Sequence, residues 1–354
     1  MSVCIVGSGL VGLTLAKALV NEGIFVDFFS NQKTNEINTS RTIGVSKTNI
    51  DFFNKNILNI SKLLWKINNI EIYTDNLGNE KIFNFEGKKE NLFSIIKNKD
   101  LYDNLIKSLS KNIFFKKKKY RNILMKNYDL IINCDTNNFF SKKYFFKEIK
   151  KNYNAFAYTT VINHKKVLTN NTAVQIFTKM GPLAFLPISN TKTSIVYSVK
   201  GFNNIDFEKL IKKYNMKYKI TKIEQISKFE LKAKNLRNYH FKNILAFGEL
   251  LHKLHPLAGQ GFNMSIRDIR LLLDLIKFRL AHGLELNSSI CLEFEKKIKH
   301  KNYLFSNGID FIYEFFNLES KINNPILSKS LKFLGKNKSA NKLFTNLADN
   351  GLVI

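Results

Sequence analysis

The chain has 354 residues and carries 56 Lys and Arg against 28 Asp and Glu, a formal net charge of +28. Hydrophobic residues make up 44% and aromatics 13%, with 31 Phe but only 4 Pro and 16 Gly, which excludes wholesale disorder and collagen-like or Pro-rich low complexity. No apolar run reaches the roughly 18 uncharged residues of a membrane span, and the N-terminus shows neither the basic region nor the cleavage site of a signal peptide.

In chain order, residues 3–6 are a short apolar strand, followed by Gly7-Ser8-Gly9-Leu10-Val11-Gly12. Leu13 to Asn21 reads as a helix ended by Gly23, and 24–29 as a second strand. This β-turn-helix-β setting is the context in which a G-x-G-x-x-G acquires meaning. Gly7 permits the tight turn, Gly9 lets backbone approach a pyrophosphate, and Gly12 lets helix and strand pack closely. The helix N-terminus then offers N–H groups and a positive dipole end to phosphates. An acidic residue is expected about 20 positions on, to bind ribose hydroxyls. That place holds Ser30 and Asn31, and Glu36 comes late.

Residues 48–66 predict a helix with Ile50, Phe53, Ile57, Ile60 and Leu64 on one stripe, read as core packing. Alternation over 70–85 around Asp75, Asn76 and Gly78 predicts a β-hairpin. Leu101 to Leu109 reads as a short helix, and 130–132 as a buried parallel strand before Cys134-Asp135. Residues 153–230 alternate as a mainly antiparallel block, with strands at 173–178, 183–188 and 194–199. One more buried strand, 244–247, precedes Gly248-Glu249. A helix is expected over Ser265 to Leu280, beginning near Asn263, and 288–350 reads as helical and basic.

Cys4, Cys134 and Cys291 are widely spaced and odd in number, which argues against disulfides and zinc sites and fits a reducing cytoplasm. Cys4 and Cys134 lie in apolar runs and read as core residues. The charge excess is mostly Lys, spread along the chain beside abundant Asn and Ile. Compositional drift accounts for it better than nucleic-acid binding, since no localised basic stripe interleaves with aromatics. The run Lys116-Lys117-Lys118-Lys119 reads as a solvated loop, and a membrane-surface role stays open. His164, His240, His282 and His300 show no paired spacing and are expected at the surface.

The most specific stretch is 248–263, joining a buried strand to a helix. Gly259 and Gly261 flank Gln260, so backbone can approach a ligand. The helix that follows aims its positive end at this loop, a setting that stabilises an anionic reduced flavin.

These residues carry a resemblance to the FAD-dependent aromatic hydroxylases, of the para-hydroxybenzoate hydroxylase fold, and within them to the ubiquinone-biosynthesis hydroxylases of polyprenyl phenols. That branch has the pattern G-[DN]-A-A-H-x-x-H-P-x-x-G-Q-G-x-N-x-G-x-x-D. The chain matches at Gly248, His252, His255, Pro256, Gly259, Gln260, Gly261, Asn263 and Asp268. Gly7, Gly9 and Gly12 match the FAD fingerprint, Arg41 and Ser46 resemble the R-x-x-x-L-S segment, and 181–188 resembles the branch's G-P-L-A-L-L-P-L strand. The departures are Glu249 for Asp or Asn, Leu250-Leu251 for two alanines, and Thr136 for the glycine of A-D-G-x-x-S, with Asp135 kept and Ser141 displaced.

The resemblance implies an α/β fold: a Rossmann-like FAD-binding domain from discontinuous segments, an interleaved, mainly antiparallel β substrate domain, and C-terminal helices. The expected boundaries are 1–68, 95–145 and 236–285 for the FAD-binding domain. A hairpin at 69–94 and a sheet at 146–235 make the substrate domain, and 286–354 the C-terminal region. The implied activity is an FAD-dependent monooxygenase that uses O2 and NAD(P)H and hydroxylates a polyprenyl phenol through a flavin C4a-hydroperoxide. The cofactor carries the hard chemistry, so the protein positions substrate and excludes water.

The implied cofactor-binding residues are Gly7, Gly9, Gly12, Arg41, Asp135, Gly248, Glu249, Pro256, Gly259, Gln260, Gly261 and Asn263. Arg41 would lie along the flavin and Glu249 would face the ribityl chain. The loop at His255 and Pro256 would border the reacting phenol, and strand 181–188 would line its pocket. His252 and His255 read as loop-ordering groups rather than acid-base catalysts, and no metal cluster is expected. The implied partners are a hydrophobic prenylated phenol, a peripheral contact at the inner face of a membrane, and other ubiquinone-biosynthesis proteins, with no nucleic acid. The altered Asn31, Thr136 and Glu249 motivate one alternative, a degenerate member serving as a structural partner in a biosynthetic assembly.

Overall fold

A computed structural model describes residues 2–30, 41–75, 78, 80–86, 91–120, 123, 125–201, 205–255 and 259–322. The chain opens with β1 (Ser2–Val6), α1 (Leu10–Asn21), β2 (Phe25–Phe29), β3 (Thr42–Ser46) and α2 (Lys47–Asn56). Next come β4 (Trp65–Ile67), β5 (Asn69–Thr74), β6 (Glu80–Glu86), β7 (Phe93–Lys97), α3 (Asn98–Leu109), β8 (Phe115–Lys118), β9 (Leu130–Asn133) and α4 (Phe139–Tyr144). The middle holds β10 (Glu148–His164), β11 (Thr172–Thr178), β12 (Gly181–Pro187), β13 (Lys192–Lys200), α5 (Phe207–Tyr214), β14 (Ile220–Ile223) and β15 (Ser227–Leu236). The last part is β16 (His240–Phe241), β17 (Ile244–Ala246), β18 (His252–Lys253), α6 (Gln260–Ala281) and α7 (Ser288–Ile322).

The first sheet has the order β16-β17-β9-β1-β2-β8. All its pairings are parallel except β16 with β17. Its central strands are uniform apolar runs because both faces are covered. Val3 to Val6, Leu130 to Ile132 and Ile244 to Ala246 are all 0% exposed. α1 and α6 bury Leu13, Leu19, Ile269 and Leu272 in the same core. Strands from positions 2–6, 130–133 and 244–246 therefore lie side by side although far apart in sequence.

The second sheet runs β18-β15-β10-β13-β12-β11-β5-β6, with β14 also paired to β10. It is antiparallel except where β5 joins β11 in parallel. α5 packs Phe207, Ile211 and Tyr214 on one face, against Tyr158, Leu183, Phe185 and Tyr197. Gly181 has φ +136, and a Cβ there would sit 2.1 Å from the Ser198 carbonyl oxygen, so only glycine fits. A small third sheet, β3-β7-β4, is not hydrogen-bonded into either, yet packs Ile43, Val45 and Ile96 into the first core and Ile67 and Ile95 against Ala173 of β11.

The predicted 48–66 helix is shorter in the structure. α2 ends at Asn56 because Asn21 of α1 donates to the carbonyls of Asn56 and Ile57, at 2.9 and 2.8 Å. Asn54 accepts from the Ile60 N–H at 2.9 Å, so side chains replace helical bonding. Ile57 and Ile60 are still buried. The hairpin, the 101–109 helix and the antiparallel block stand where expected. Helix α7 covers the start of the helical 288–350 stretch, and its end lies outside the described residues.

His164 is a correction. It was expected at the surface, yet it is 4% exposed, with Nε2 3.0 Å from Thr193 Oγ1 and its ring against Tyr218. β14 and the 165–171 loop fold over the end of β10 and enclose it, which local spacing does not reveal. His282 and His300 are exposed.

Candidate cofactor site

The carboxyl ends of β1, β9 and β17 meet at one edge of the first sheet, where ligands bind in open α/β sheets. At β1, Gly7 has φ +132, and a Cβ there would come within 3.1 Å of the Cys134 Cβ and 3.3 Å of the Asp135 nitrogen. A side chain at Gly9 would meet nothing within 4 Å, so its surface is open to a ligand. Gly12 backs onto Phe28 and Ile5, setting the close approach of α1 to the sheet. α1 starts at Gly9 with no side-chain cap and no acidic residue in its first turn. Its first N–H groups and dipole therefore present an uncompensated positive end.

At β9, Asn133, Asn138 and Ser141 form a buried polar knot. Asn138 Nδ2 donates to Asn133 Oδ1 at 2.6 Å, and Asn133 Nδ2 donates to Ser141 Oγ at 2.9 Å. Asn138 Oδ1 also accepts from the Ser141 N–H at 2.9 Å and caps α4. The Ser141 hydroxyl donates to the Asp135 carbonyl, and Asp135 Oδ1 accepts from the Asn137 N–H at 2.8 Å. The turn bearing Asp135 and Thr136 is thereby held without the glycine of the family pattern. Sequence reading missed this knot; the Asn138-to-Ser141 spacing, typical of an N-cap, was its available signal.

At β17, Gly248 has φ +61 and abuts Val11 of α1, so the next residue leaves over the first turn of α1. Glu249 there pairs with Arg41 at 3.7 Å. Both side chains are 56% exposed, so the pair adds little stability and stays available to a ligand.

α6 starts at Gln260 rather than near Asn263. Gly259 takes φ +64 and lies against Gly44 of β3, where a Cβ would come within 3.4 Å of the Gly44 nitrogen. Asn263 thus falls inside the helix and is 2% exposed. It donates to the Gly44 carbonyl at 2.9 Å and accepts from the Ser46 N–H at 2.9 Å and Asn49 Nδ2 at 3.0 Å. Its side chain fastens β3 to α6, and Arg41 stands directly before β3. Gln260 is 7% exposed, and its Oε1 is buried with no hydrogen-bond partner among the described residues. Gly261 is open, and α6 has no side-chain cap and no acid in its first turn.

The two histidines of the loop are both buried. His252 Nε2 lies 2.5 Å from Asp268 Oδ2, and Asn302 Nδ2 donates to Asp268 Oδ1 at 3.1 Å. This links β18, α6 and α7. The His255 ring is 1% exposed, with Tyr313 at 4.2 Å and Tyr153 edge-on at 4.9 Å. Burial, helped by Lys151, pushes its pKa down to about 3. Neutral at ordinary pH, His255 is unsuited to proton donation. Tyr153 donates to Asp310 of α7, so the loop is clamped from both sides. Pro256 and Asn31 lie outside the described residues.

The Cys4 thiol is buried and its pKa raised by that burial; burial likewise pushes Cys134 and Cys291 up to about 12. Ala184 and Leu186 of β12 are half-buried, and Leu186 and Ile188 pack against the Ile67, Ile95 and Ala173 cluster. A cavity of about 60 Å³ opens beside Ile188, between Thr42, Lys97, Val161, Lys192 and Glu224. It is far below the ~300 Å³ of a typical ligand pocket. Among the described residues, no group of three or more His, Cys, Asp or Glu could hold a metal, and no helix is long and apolar enough to cross a membrane.

The site fits FAD by its own features: an open Gly9 at an acid-free helix start, the orphaned Gln260 Oε1, and a second acid-free helix start at Gly259. No family model matches the chain. It is 23% identical over 229 residues to ubiquinone biosynthesis monooxygenase COQ6 of Schizosaccharomyces pombe, covering 51% of this chain and 48% of that protein. It is 26% identical over 152 residues to 3-demethoxyubiquinol 3-hydroxylase of Escherichia coli, covering 40% and 39%. The chain spans about half the length, or less, of the curated relatives it matches. Among solved structures, p-nitrophenol 4-monooxygenase of Pseudomonas putida superposes with a TM-score of 0.79 at 10% identity, over 99% of this chain and 98% of that one. An FAD complex of Klebsiella pneumoniae HpxO gives 0.75 at 12% identity, over 98% and 99%. This chain has the fold of the FAD-dependent aromatic hydroxylases and is a sequence relative of their ubiquinone-biosynthesis branch.

Proposed function

We propose that the protein is an FAD-dependent monooxygenase that hydroxylates a prenylated phenol in ubiquinone biosynthesis, at the cytoplasmic side of a membrane. The observation that carries the reading is the convergence of two acid-free, uncapped helix starts, α1 and α6, on a glycine-lined sheet edge bordered by Arg41 and Glu249. Two positive dipole ends suit a ligand with a pyrophosphate at one end and a ring that becomes anionic at the other. The amides after Gly9 would bind the diphosphate, and Arg41, Glu249 and Gln260 would hold the remainder. Bound FAD supplies the oxygen activation. The chain's own task is positioning: Asn263 holds β3 and with it Arg41, while Tyr153, Tyr313 and the His252–Asp268 pair hold the loop.

A neutral, buried His255 agrees with a mechanism that asks no acid-base work of this loop. The names of the curated relatives support ubiquinone synthesis as the setting, with the ring of a polyprenyl phenol as substrate. The test is aerobic incubation of the FAD-loaded protein with NAD(P)H and a short-chain prenylated phenol. A product heavier by one oxygen, labelled from ¹⁸O₂, supports the reading. FAD-loaded protein that converts no phenol with either nicotinamide contradicts it and favours the structural-partner alternative.

A further inference from the structure

α4 and the residues after it expose rings beside unpaired cations. Phe139 and Phe146 are 59% and 62% exposed, and Ile149 is 44% exposed. Between them stand the exposed Lys142, Lys143 and Lys147. Phe139, Tyr144 and Phe241 form one aromatic surface, with ring centroids 6.4 Å apart for the first pair and a 4.0 Å stack for the second. The Lys143 ammonium lies 5.2 Å from the Phe139 ring and 5.4 Å from Tyr144, and Lys242 lies 5.8 Å from Phe241. Exposed Arg237 adjoins the patch through its N–H bond to the Lys147 carbonyl at 2.9 Å. The neighbouring carboxylate, Glu148, is engaged by Lys150 and Lys234 at 2.5 and 3.6 Å. None of the five patch cations pairs with a carboxylate among the described residues.

Three occupants compete for such a surface. Protein interfaces are depleted in Lys, which disfavours a protein partner. Nucleic acid stacks bases on open ring faces, but Tyr144 and Phe241 stack on each other. Exposed Phe bordered by Lys is the composition of a surface that lies in the headgroup layer, with rings at the acyl boundary and ammonium groups on lipid phosphates.

We propose that this surface, Phe139, Phe146 and the cations Lys142, Lys143, Lys147, Arg237 and Lys242, docks the protein on an anionic lipid bilayer. The inference deepens the proposed function by naming the surface that meets the membrane, and it rests on that reading for the membrane setting. The vesicle assay uses neither flavin nor phenol, so its failure is distinct from a failure of the hydroxylase reading.

The test is co-sedimentation of the full chain with vesicles of phosphatidylcholine alone, or mixed equally with phosphatidylglycerol, without flavin or phenol. Two patch variants are compared, Phe139→Ser/Phe146→Ser and Lys142→Gln/Lys143→Gln/Lys147→Gln. A charge-matched control, Lys209→Gln/Lys212→Gln/Lys213→Gln, removes three exposed lysines of α5, which packs on the second sheet. The expected result is binding to the mixed vesicles, weakened about tenfold or more by either patch variant and less than about threefold by the control. Equal weakening by the lysine patch variant and the control overturns the proposal, since binding then follows total charge. Binding of single-stranded DNA with no vesicle binding overturns it in favour of a nucleic-acid surface. The lysine variant keeps every patch ring, so it tests the proposal even if the double Phe variant does not fold.

Discussion

His252 and Asp268 form a buried pair, with Nε2 2.5 Å from Oδ2 and side chains 1% and 0% exposed. The pair joins the site loop to α6, and Asn302 of α7 donates to the second carboxylate oxygen. A pair this deep is weak evidence of net stability, but breaking it strands a charge or polar group in the core. Asp268→Ala is therefore expected to destabilise the fold by about 3–5 kcal/mol, read as a lower urea midpoint. Asn302→Ala, which leaves the pair itself intact, should cost about 1–3 kcal/mol. Equal midpoints for Asp268→Ala and the unaltered protein would contradict this.

Gly7 and Gly9 are expected to separate folding from binding. Gly7→Ala forces a Cβ to within 3.1 Å of Cys134 at φ +132, so melting temperature should fall. Gly9→Ala meets nothing within 4 Å and should melt like the unaltered chain, while a methyl group blocks the close approach of a pyrophosphate. Flavin affinity should drop about tenfold or more with unchanged melting, against the roughly 1.4 kcal/mol per tenfold scale. Undiminished flavin binding by Gly9→Ala would remove that residue from the site.

Gly181→Ala places a Cβ 2.1 Å from the Ser198 carbonyl oxygen, so the β12–β13 pairing must shift. A loss of about 3 kcal/mol or more is expected in denaturant unfolding, since strain adds to lost ladder bonds. A loss near the ordinary 0.5–1 kcal/mol of a glycine exchange would show that the turn relaxes freely.

His255 gives the fold a pH dependence with a definite sign. Its folded pKa is about 3 and its unfolded value 6.5, so between those limits the unfolded chain binds the proton and the folded chain does not. Its contribution is full above about pH 6.5 and is lost as pH falls toward 3, at about 1.4 kcal/mol per pH unit. His255→Phe should flatten that part of the stability profile. Identical slopes for the two proteins between pH 6 and 4, a range chosen at roughly the middle of the window, would contradict the assignment.

The Rossmann-like core was legible because parallel strands buried on both faces must be uniformly apolar, as Val3-Cys4-Ile5-Val6 and Leu130-Ile131-Ile132 are. The loop around Gly259-Gln260-Gly261 was legible because its motif combines residue types that packing alone does not require. Other features depend on distant partners. α2 stops at Asn56 through Asn21, His164 is enclosed by β14, and Tyr153 of β10 and Tyr313 of α7 meet His255 from distant parts of the chain. The Asn133–Asn138–Ser141 knot is local, but three short polar residues in a row of turn-formers carry no periodicity. α6 starts three residues before Asn263 because Gly259, in the left-handed region, begins the helix, a backbone setting that depends on its approach to Gly44 of β3.

The most direct test of the central claim is the visible absorption spectrum of the purified protein before and after FAD is added and free flavin removed. The account predicts a retained flavin band, lost in Gly9→Ala and weakened in Gln260→Leu, with bleaching by NADPH or NADH under anaerobic conditions. A folded protein that remains colourless after exposure to excess FAD would contradict it.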